Sequence, residues 1–256
     1  MNMRVNPIGS INTNYKIYQN LSSGKKINKA ADDAASLAIA QKLLREEKGL
    51  NVGSYNARDG IGVLNVADGA LNSITDSLNR MYELGVRAMN GLYSDSDRAS
   101  MQKEIDGLKE DIESTAKNTS LNEQKLLDGS MADMHIATNP NGGGMEIRMQ
   151  NTTLSALGIA NFDVTGDFNL DDISNALDKV SAARSEMGAS TNRLEHTYNH
   201  NMQASENILS SRSRLEDLDI AKAITEKQKN DLLVQYRTMM LSKIMSADAQ
   251  VLNLFQ

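Results

Sequence analysis

The stretch Leu64-Asn-Val-Ala67-Asp-Gly-Ala-Leu71-Asn-Ser-Ile74-Thr-Asp-Ser-Leu78-Asn-Arg-Met81 decides the fold. Its apolar positions Leu64, Ala67, Leu71, Ile74, Leu78 and Met81 recur at alternating spacings of three and four. That spacing lines one side of an α-helix and forms the seam of a coiled coil or bundle, whereas a half-buried strand would alternate at every second residue. No proline interrupts the chain from Ala30 to about Asn90, although Gly49, Gly53, Gly60, Gly62 and Gly69 weaken the helix locally. A continuous helix of that length would run roughly 90 Å at 1.5 Å per residue, too long to fold back into a compact ball.

Outward from this seam, Gly91 to Asp97 reads as a turn, with Ser94 to Asp97 offering caps for the next helix. That helix keeps the three-four spacing at Met101, Ile105, Leu108 and Ile112 and fades near Asn118. Leu121 to Asp133 is polar and reads as irregular. Between residues 134 and 150, His135–Ala137 and Met145–Met149 alternate on either side of Asn139-Pro140-Asn141-Gly142-Gly143-Gly144, the pattern of one β-hairpin. A lone hairpin is marginal in water, so it is expected to pack against the helices.

A connector from Thr152 to Asn169 leads to a helix starting at Asp171 or Asp172. From Ile173 its register passes through Leu177, Val180, Met187, Leu194, Tyr198, Ile208 and Leu215. Arg184, Thr191, Asn201, Ser205 and Arg212 interrupt that seam, so it needs polar partners from the first helix. A last helix covers about Asp219 to Phe255 and ends in the apolar run Val251–Phe255. The expected fold is mainly α: a long antiparallel helical bundle or coiled coil of N- and C-terminal arms, with one small β-hairpin. Both chain ends would then lie at the same end of a rod.

Composition agrees and excludes several functions. Without Trp and with 3 Phe and 2 Pro beside 14 Met, the chain suits long helices packed through aliphatic side chains. A net charge of -6 and no basic run longer than Lys25-Lys26 argue against nucleic acid as a partner. The absence of cysteine removes disulfides and thiolate metal sites. No apolar stretch is long enough for a transmembrane helix, so no membrane partner is expected. Met1 to Gly9 lacks an apolar core, so export without a cleavable signal peptide is expected.

The candidate chemical sites are weak. His196 and His200 are four apart, a zinc-compatible spacing, but His-Thr-Tyr-Asn-His lacks the glutamate that would activate water and no third ligand is evident. Gly142–Gly144 has no following Lys or Ser/Thr for a phosphate loop. Asp163, Asp167, Asp171 and Asp172 lack the spacing and glycine of a calcium loop. No Ser sits in a nucleophile elbow. No catalytic, cofactor or metal residue is therefore expected, and the chain does not read as an enzyme.

Two segments carry a family resemblance. Leu21-Ser-Ser-Gly-Lys-Lys-Ile-Asn-Lys-Ala-Ala-Asp-Asp-Ala-Ala-Ser-Leu-Ala-Ile-Ala40 resembles the N-terminal motif of bacterial flagellins, and Ala183-Arg-Ser-Glu-Met-Gly-Ala-Ser-Thr-Asn-Arg-Leu-Glu195 resembles their C-terminal one. Ser205-Glu-Asn207, Ser213–Asp217 and the Val251–Phe255 ending continue the likeness. The resemblance implies a secreted structural subunit that polymerises with itself into the flagellar filament for motility. It also implies an inner terminal-helix domain over residues 1–32 and 217–256. A helical rod domain would cover 33–216, with its hairpin near 134–150. The family's variable outer domain would be absent, because Leu157 to Asn169 passes straight into the C-terminal helix. With 20 residues before Leu21, the N-terminal inner helix is expected to be short, and Lys243–Gln250 replaces the family's small polar stretch.

The implied partners are copies of the chain, an export chaperone, the filament cap and the vertebrate flagellin-sensing Toll-like receptor. Arg80, Leu84 and Glu104 match the receptor-binding patch of recognised flagellins. By register alone, an off-seam leucine such as Leu84 more often widens a core stripe, and the resemblance points instead to an exposed contact. Two other readings stand beside it: a hook-filament junction protein, which shares the terminal-helix plan, and a non-polymerising secreted ligand that has kept the receptor face. Ala30-Ala-Asp-Asp-Ala-Ala35 favours a flagellin over the junction protein.

Overall fold

The computed structural model describes the backbone of residues 7–254 and the side chains of 14–247. The Val251–Phe255 side chains and the start of the Met1–Gly9 segment lie outside the described residues. Five helices of four turns or more dominate: α1 (Pro7–Ser23), α2 (Ala34–Ala88), α3 (Asp95–Asn118), α5 (Asp171–Glu216) and α6 (Ile220–Leu254). A single turn, α4 (Leu154–Leu157), lies between α3 and α5. Two small antiparallel strand pairs, β1 (Ser120–Leu121) with β2 (Gln124–Lys125) and β3 (Asp133–Ala137) with β4 (Gly144–Arg148), complete the described residues.

The chain divides into two compact units, one of residues 1–45 and 206–256, the other of residues 46–205. In the central unit every seam residue from Leu64 to Met81 is at most 1% exposed. Ile105 and Ile112 of α3, Val180 and Leu194 of α5, and Ile147 of β4 close over the same core. The polar seam of α5 finds its partners as expected in two places: Arg184 donates to Asp68 of α2 at 2.8 Å, and Ser205 donates to Asn51 of α2 at 2.8 Å. Asn201 differs, donating instead to the hairpin carbonyl of Thr138 at 2.7 Å. In the terminal unit α1 lies against α6, with Lys227 of α6 held 5.0 Å over the Tyr18 ring.

Two local expectations need correction. The long helix begins at Ala34 instead of Ala30. The Asp32 carboxylate accepts from the backbone N–H groups of Asn28 and Lys29, holding that alanine-rich approach as a turn. Asp33 then accepts the N–H of Ser36, which satisfies a donor that the first turn of α2 would leave open. The second correction concerns the segment read as irregular, which contains the β1–β2 pair. Its two-residue turn places Asn122 at φ 49° and Glu123 at φ 67°. Both central residues at positive φ is the backbone of a tight hairpin turn, usually marked by glycine. Glu123→Gly removes the side-chain cost of that conformation and is expected to raise stability by about 0.5–1 kcal/mol, read from the urea midpoint.

The main hairpin follows its alternation. Met145 and Ile147 face the core while Glu146 faces out. The turn closes through Gly142 at φ +84°, with Thr138 and Asn139 both donating to the Gly143 carbonyl. Ser94 caps α3 reciprocally with Asp97, as the turn chemistry at that point implies.

Candidate functional site

Arg80 and Glu104 face each other from the last turns of α2 and the first turns of α3. Arg80 Nε donates to Glu104 Oε1 at 2.7 Å, and Nη1 donates to Glu83 Oε2 at 3.0 Å. These bonds, Glu104's first, raise the guanidinium above its ordinary value. The Arg80 and Glu104 side chains are 39% and 45% exposed, so water screens the pair and it adds little to stability. Its charged atoms remain open to a partner. Glu83 is the member that the sequence reading missed, although its position three residues beyond Arg80 on one helix is a signal for such a pair.

Leu84 is placed differently. It is 2% exposed and belongs to the central core, which corrects its expected place as an exposed contact. The cause is local. The three-four register puts Gly85 on the seam, and a Cβ there would lie 2.6 Å from Leu170 Cδ2. Leu170, beside Phe162 and Phe168, fills the place of the missing side chain, and Leu84 widens the stripe next to it.

A second arrangement uses the glycines of α2. Gly49, Gly53, Asn56 and Gly60 share one helix face, at steps of four, three and four. A Cβ on Gly53 would lie 2.0 Å from the Thr138 carbonyl oxygen, and one on Gly49 would lie 2.5 Å from Pro140 Cβ. Asn56 donates to the Ala137 carbonyl at 2.7 Å. The hairpin turn therefore rests directly on helix backbone, and two amides, Asn56 and Asn201, satisfy the carbonyls buried there. Spacing alone held this signal, since four positions on one face are hard to explain as random helix weakening.

In the terminal unit, short connectors join α1 to α2 and α5 to α6. Lys26 N–H donates to Glu216 O at 2.8 Å and Leu218 N–H to Gly24 O at 2.9 Å, so the connectors pair like two strands. Lys25 Nζ lies 3.0 Å from the Glu216 carboxylate, whose side chain is 7% exposed. Lys16 pairs with Asp32 at 2.9 Å. That bond and the two backbone N–H donors hold the Asp32 carboxyl at about 2. Because the folded value is depressed, this stabilisation is present above about pH 4 and is lost as pH falls toward 2. The difference in urea midpoint between the natural chain and Asp32→Asn is therefore expected to be constant above that window and to shrink toward zero through it.

The remaining described surface is uneven. On α6, Leu232, Tyr236, Met239, Ile244 and Met245 are between 53% and 69% exposed. His196 and His200 are exposed on α5, and among the described residues no three metal-ligating side chains converge. No described helix is long and apolar enough to cross a membrane.

Comparison with known proteins gives these features a context. Residues 3–132 match the bacterial flagellin N-terminal helical region, and residues 170–255 match the bacterial flagellin C-terminal helical region. A flagellin of Halalkalibacterium halodurans is 36% identical, with 100% of this chain and 97% of that protein covered. The flagellar filament 33 kDa core protein of Treponema phagedenis is 34% identical, over 96% of this chain and 94% of that one. The crystal structure of Bacillus cereus flagellin aligns with a TM-score of 0.52 at 26% identity, covering 57% of this chain and 88% of that chain. Two helical regions in the expected order, full-length relatives and a shared helical fold agree: this chain belongs to the bacterial flagellin family.

Proposed function

We propose that the chain is a structural subunit that polymerises with its own copies into the extracellular flagellar filament. The observation that carries this reading is the surface of α6. At 3.6 residues per turn, Leu232, Leu233, Tyr236, Met239, Leu241 and Met245 spread over about two thirds of the helix circumference, and all are exposed. A helix apolar over so wide an arc belongs in an interior, and α1 covers only part of it. Burying one such side chain contributes about 1.5–3 kcal/mol, so several together stabilise association strongly. Residues 1–32 and 217–256 would form the inner part of the filament and residues 33–216 the part around it.

The same exposed surface explains why handling before assembly matters. An export chaperone would cover α6 in the cytoplasm, and a filament cap would hold arriving subunits at the growing tip. The test is elongation: purified chain added to fragments of its own filament should lengthen them in electron micrographs. Persistent monomer would refute the reading and favour a non-polymerising ligand.

A receptor face on the same subunit has one structural support, the exposed Arg80–Glu104 pair on adjoining helices. Charge-assisted bonds from such a pair suit a hot spot. Arg80→Ala is expected to weaken binding to the flagellin-sensing Toll-like receptor ectodomain by about tenfold or more, with the melting temperature unchanged. Leu84→Ala should act mainly through stability, since that side chain is buried. Equal receptor affinity of Arg80→Ala and the natural chain would remove Arg80 from the face.

A further inference from the structure

Asn-Gly occurs twice in the chain, at Asn90-Gly91 and at Asn141-Gly142. The pair is chemically distinctive because glycine has no Cβ to hold its own nitrogen away from the preceding side chain. Once deprotonated by base, that nitrogen can attack the asparagine Cγ and close a five-membered succinimide. Exposure does not separate the two pairs, since both asparagines and both glycines are exposed. The electrophile does not separate them either. Asn90 Oδ1 accepts the Leu92 N–H at 3.0 Å, and Asn141 Oδ1 accepts the Gly143 N–H at 3.1 Å. Each bond folds the side-chain carbonyl over the intervening peptide and stabilises the negative charge that attack would place on Oδ1.

The nucleophile separates them. Gly142 N–H donates to the Asn139 carbonyl at 3.0 Å, inside a turn that Thr138 and Asn139 also close by donating to Gly143 O. That turn rests on helix backbone at Gly49 and Gly53. An amide bonded in this way is withheld from base until the bond opens, as in hydrogen exchange. Gly91 N–H has no acceptor among the described residues. It lies in the turn between α2 and α3, closed by the Tyr93 N–H bond to Asn90 O at 3.2 Å, and a Cβ there would meet nothing within 4 Å.

We propose that Asn90 is a deamidation site, and that the hairpin protects Asn141 from the same reaction. The Gly91 nitrogen forms a bond to Asn90 Cγ while the Leu92 N–H holds the developing oxyanion. The bond from Cγ to the side-chain nitrogen breaks, and that nitrogen leaves as ammonia with the proton that Gly91 gave up. Water then opens the ring. Attack at Cγ gives aspartate, and attack at the main-chain carbonyl gives isoaspartate, whose chain continues through Cγ. Either product adds one negative charge to a chain already at net -6. The charge falls just beyond the C-terminal end of α2, where the helix dipole opposes it.

Peptide mapping by mass spectrometry tests the assignment on the full chain, incubated folded in mildly alkaline buffer. Asn90 is expected to convert at least about tenfold faster than Asn141, with isoaspartate among its products. In denaturing urea the two rates should converge, because both are then unprotected Asn-Gly pairs. Gly91→Ala is expected to slow conversion at Asn90 by about tenfold or more and to leave the melting temperature nearly unchanged, since Gly91 has no positive φ and open space around it. Equal rates in the folded chain, faster conversion at Asn141, or a rate ratio that survives in urea would overturn the proposal.

Discussion

Leu78→Ala is expected to lower the unfolding free energy by about 3–4 kcal/mol, the largest effect of any single truncation along the α2 seam. Leu78 is 0% exposed and sits between Ile74 and Met81, which are also closed off from solvent. Ile105 and Ile112 of α3 and Val180 of α5 belong to the same cluster, so the helices meet around a common core. Removing Cγ and its two methyl groups there forfeits their transfer energy and leaves a cavity that stiff, mutually braced helices close poorly. Urea denaturation followed by far-ultraviolet circular dichroism reads the change as a shift in midpoint at constant slope. A shift below about 1 kcal/mol would mean that the seam is not the core of the central unit.

Gly53→Ala is the second large expectation, and its sign runs against helix propensity. Alanine is intrinsically better than glycine inside a helix by about 1 kcal/mol, so a freely exposed site would gain. At Gly53 the added methyl meets the Thr138 carbonyl oxygen at 2.0 Å and its carbon at 2.6 Å. Both are backbone atoms of the hairpin turn, and neither can swing aside. Relief requires the turn to lift from α2, which also weakens the Asn56 and Asn201 bonds to its carbonyls. The net expectation is a loss of about 2–3 kcal/mol. Gly69→Ala is the control: nothing lies within 4 Å of a Cβ there, so a gain of about 0.5–1 kcal/mol is expected in the monomer. Equal responses at the two positions would show that the hairpin does not rest on Gly53.

These two cases mark how far the sequence could be read. The α2 seam was legible because burial on one side of a long helix imposes a strict period, and each of its six residues is closed off from solvent. The main hairpin was legible from alternation around a proline and glycine turn, and α3 from Ser94 and Asp97. The β1–β2 turn escaped because Asn122-Glu123 has no glycine to mark its positive φ values. The start of α2 was misplaced because Ala30-Ala31 has high helix propensity. The bonds from Asp32 back to Asn28 and Lys29 hold that segment as a turn.

The candidate site was legible only in part. Arg80 and Glu104 lie 24 residues apart, and only the return of α3 along α2 joins them. Leu84 shows the limit of a register argument at a single residue. Beside it, Gly85 takes the seam position and meets Leu170, a neighbour distant in sequence that the register does not reveal. The Gly49–Gly60 face was visible as spacing, but what it meets required the hairpin to be in place. Family motifs identified the chain because they extend over long segments, which single-residue burial does not.

If copies of the same chain cover the apolar surface of α6, assembly must protect its backbone. Hydrogen–deuterium exchange over residues 220–247, compared between monomer and assembled filament, reads that protection. The expected result is rapid exchange in the monomer, where this helix has few buried contacts, and slowing by about a hundredfold or more in the filament. Equal exchange in the two states, with protection appearing only in the central unit, would contradict it.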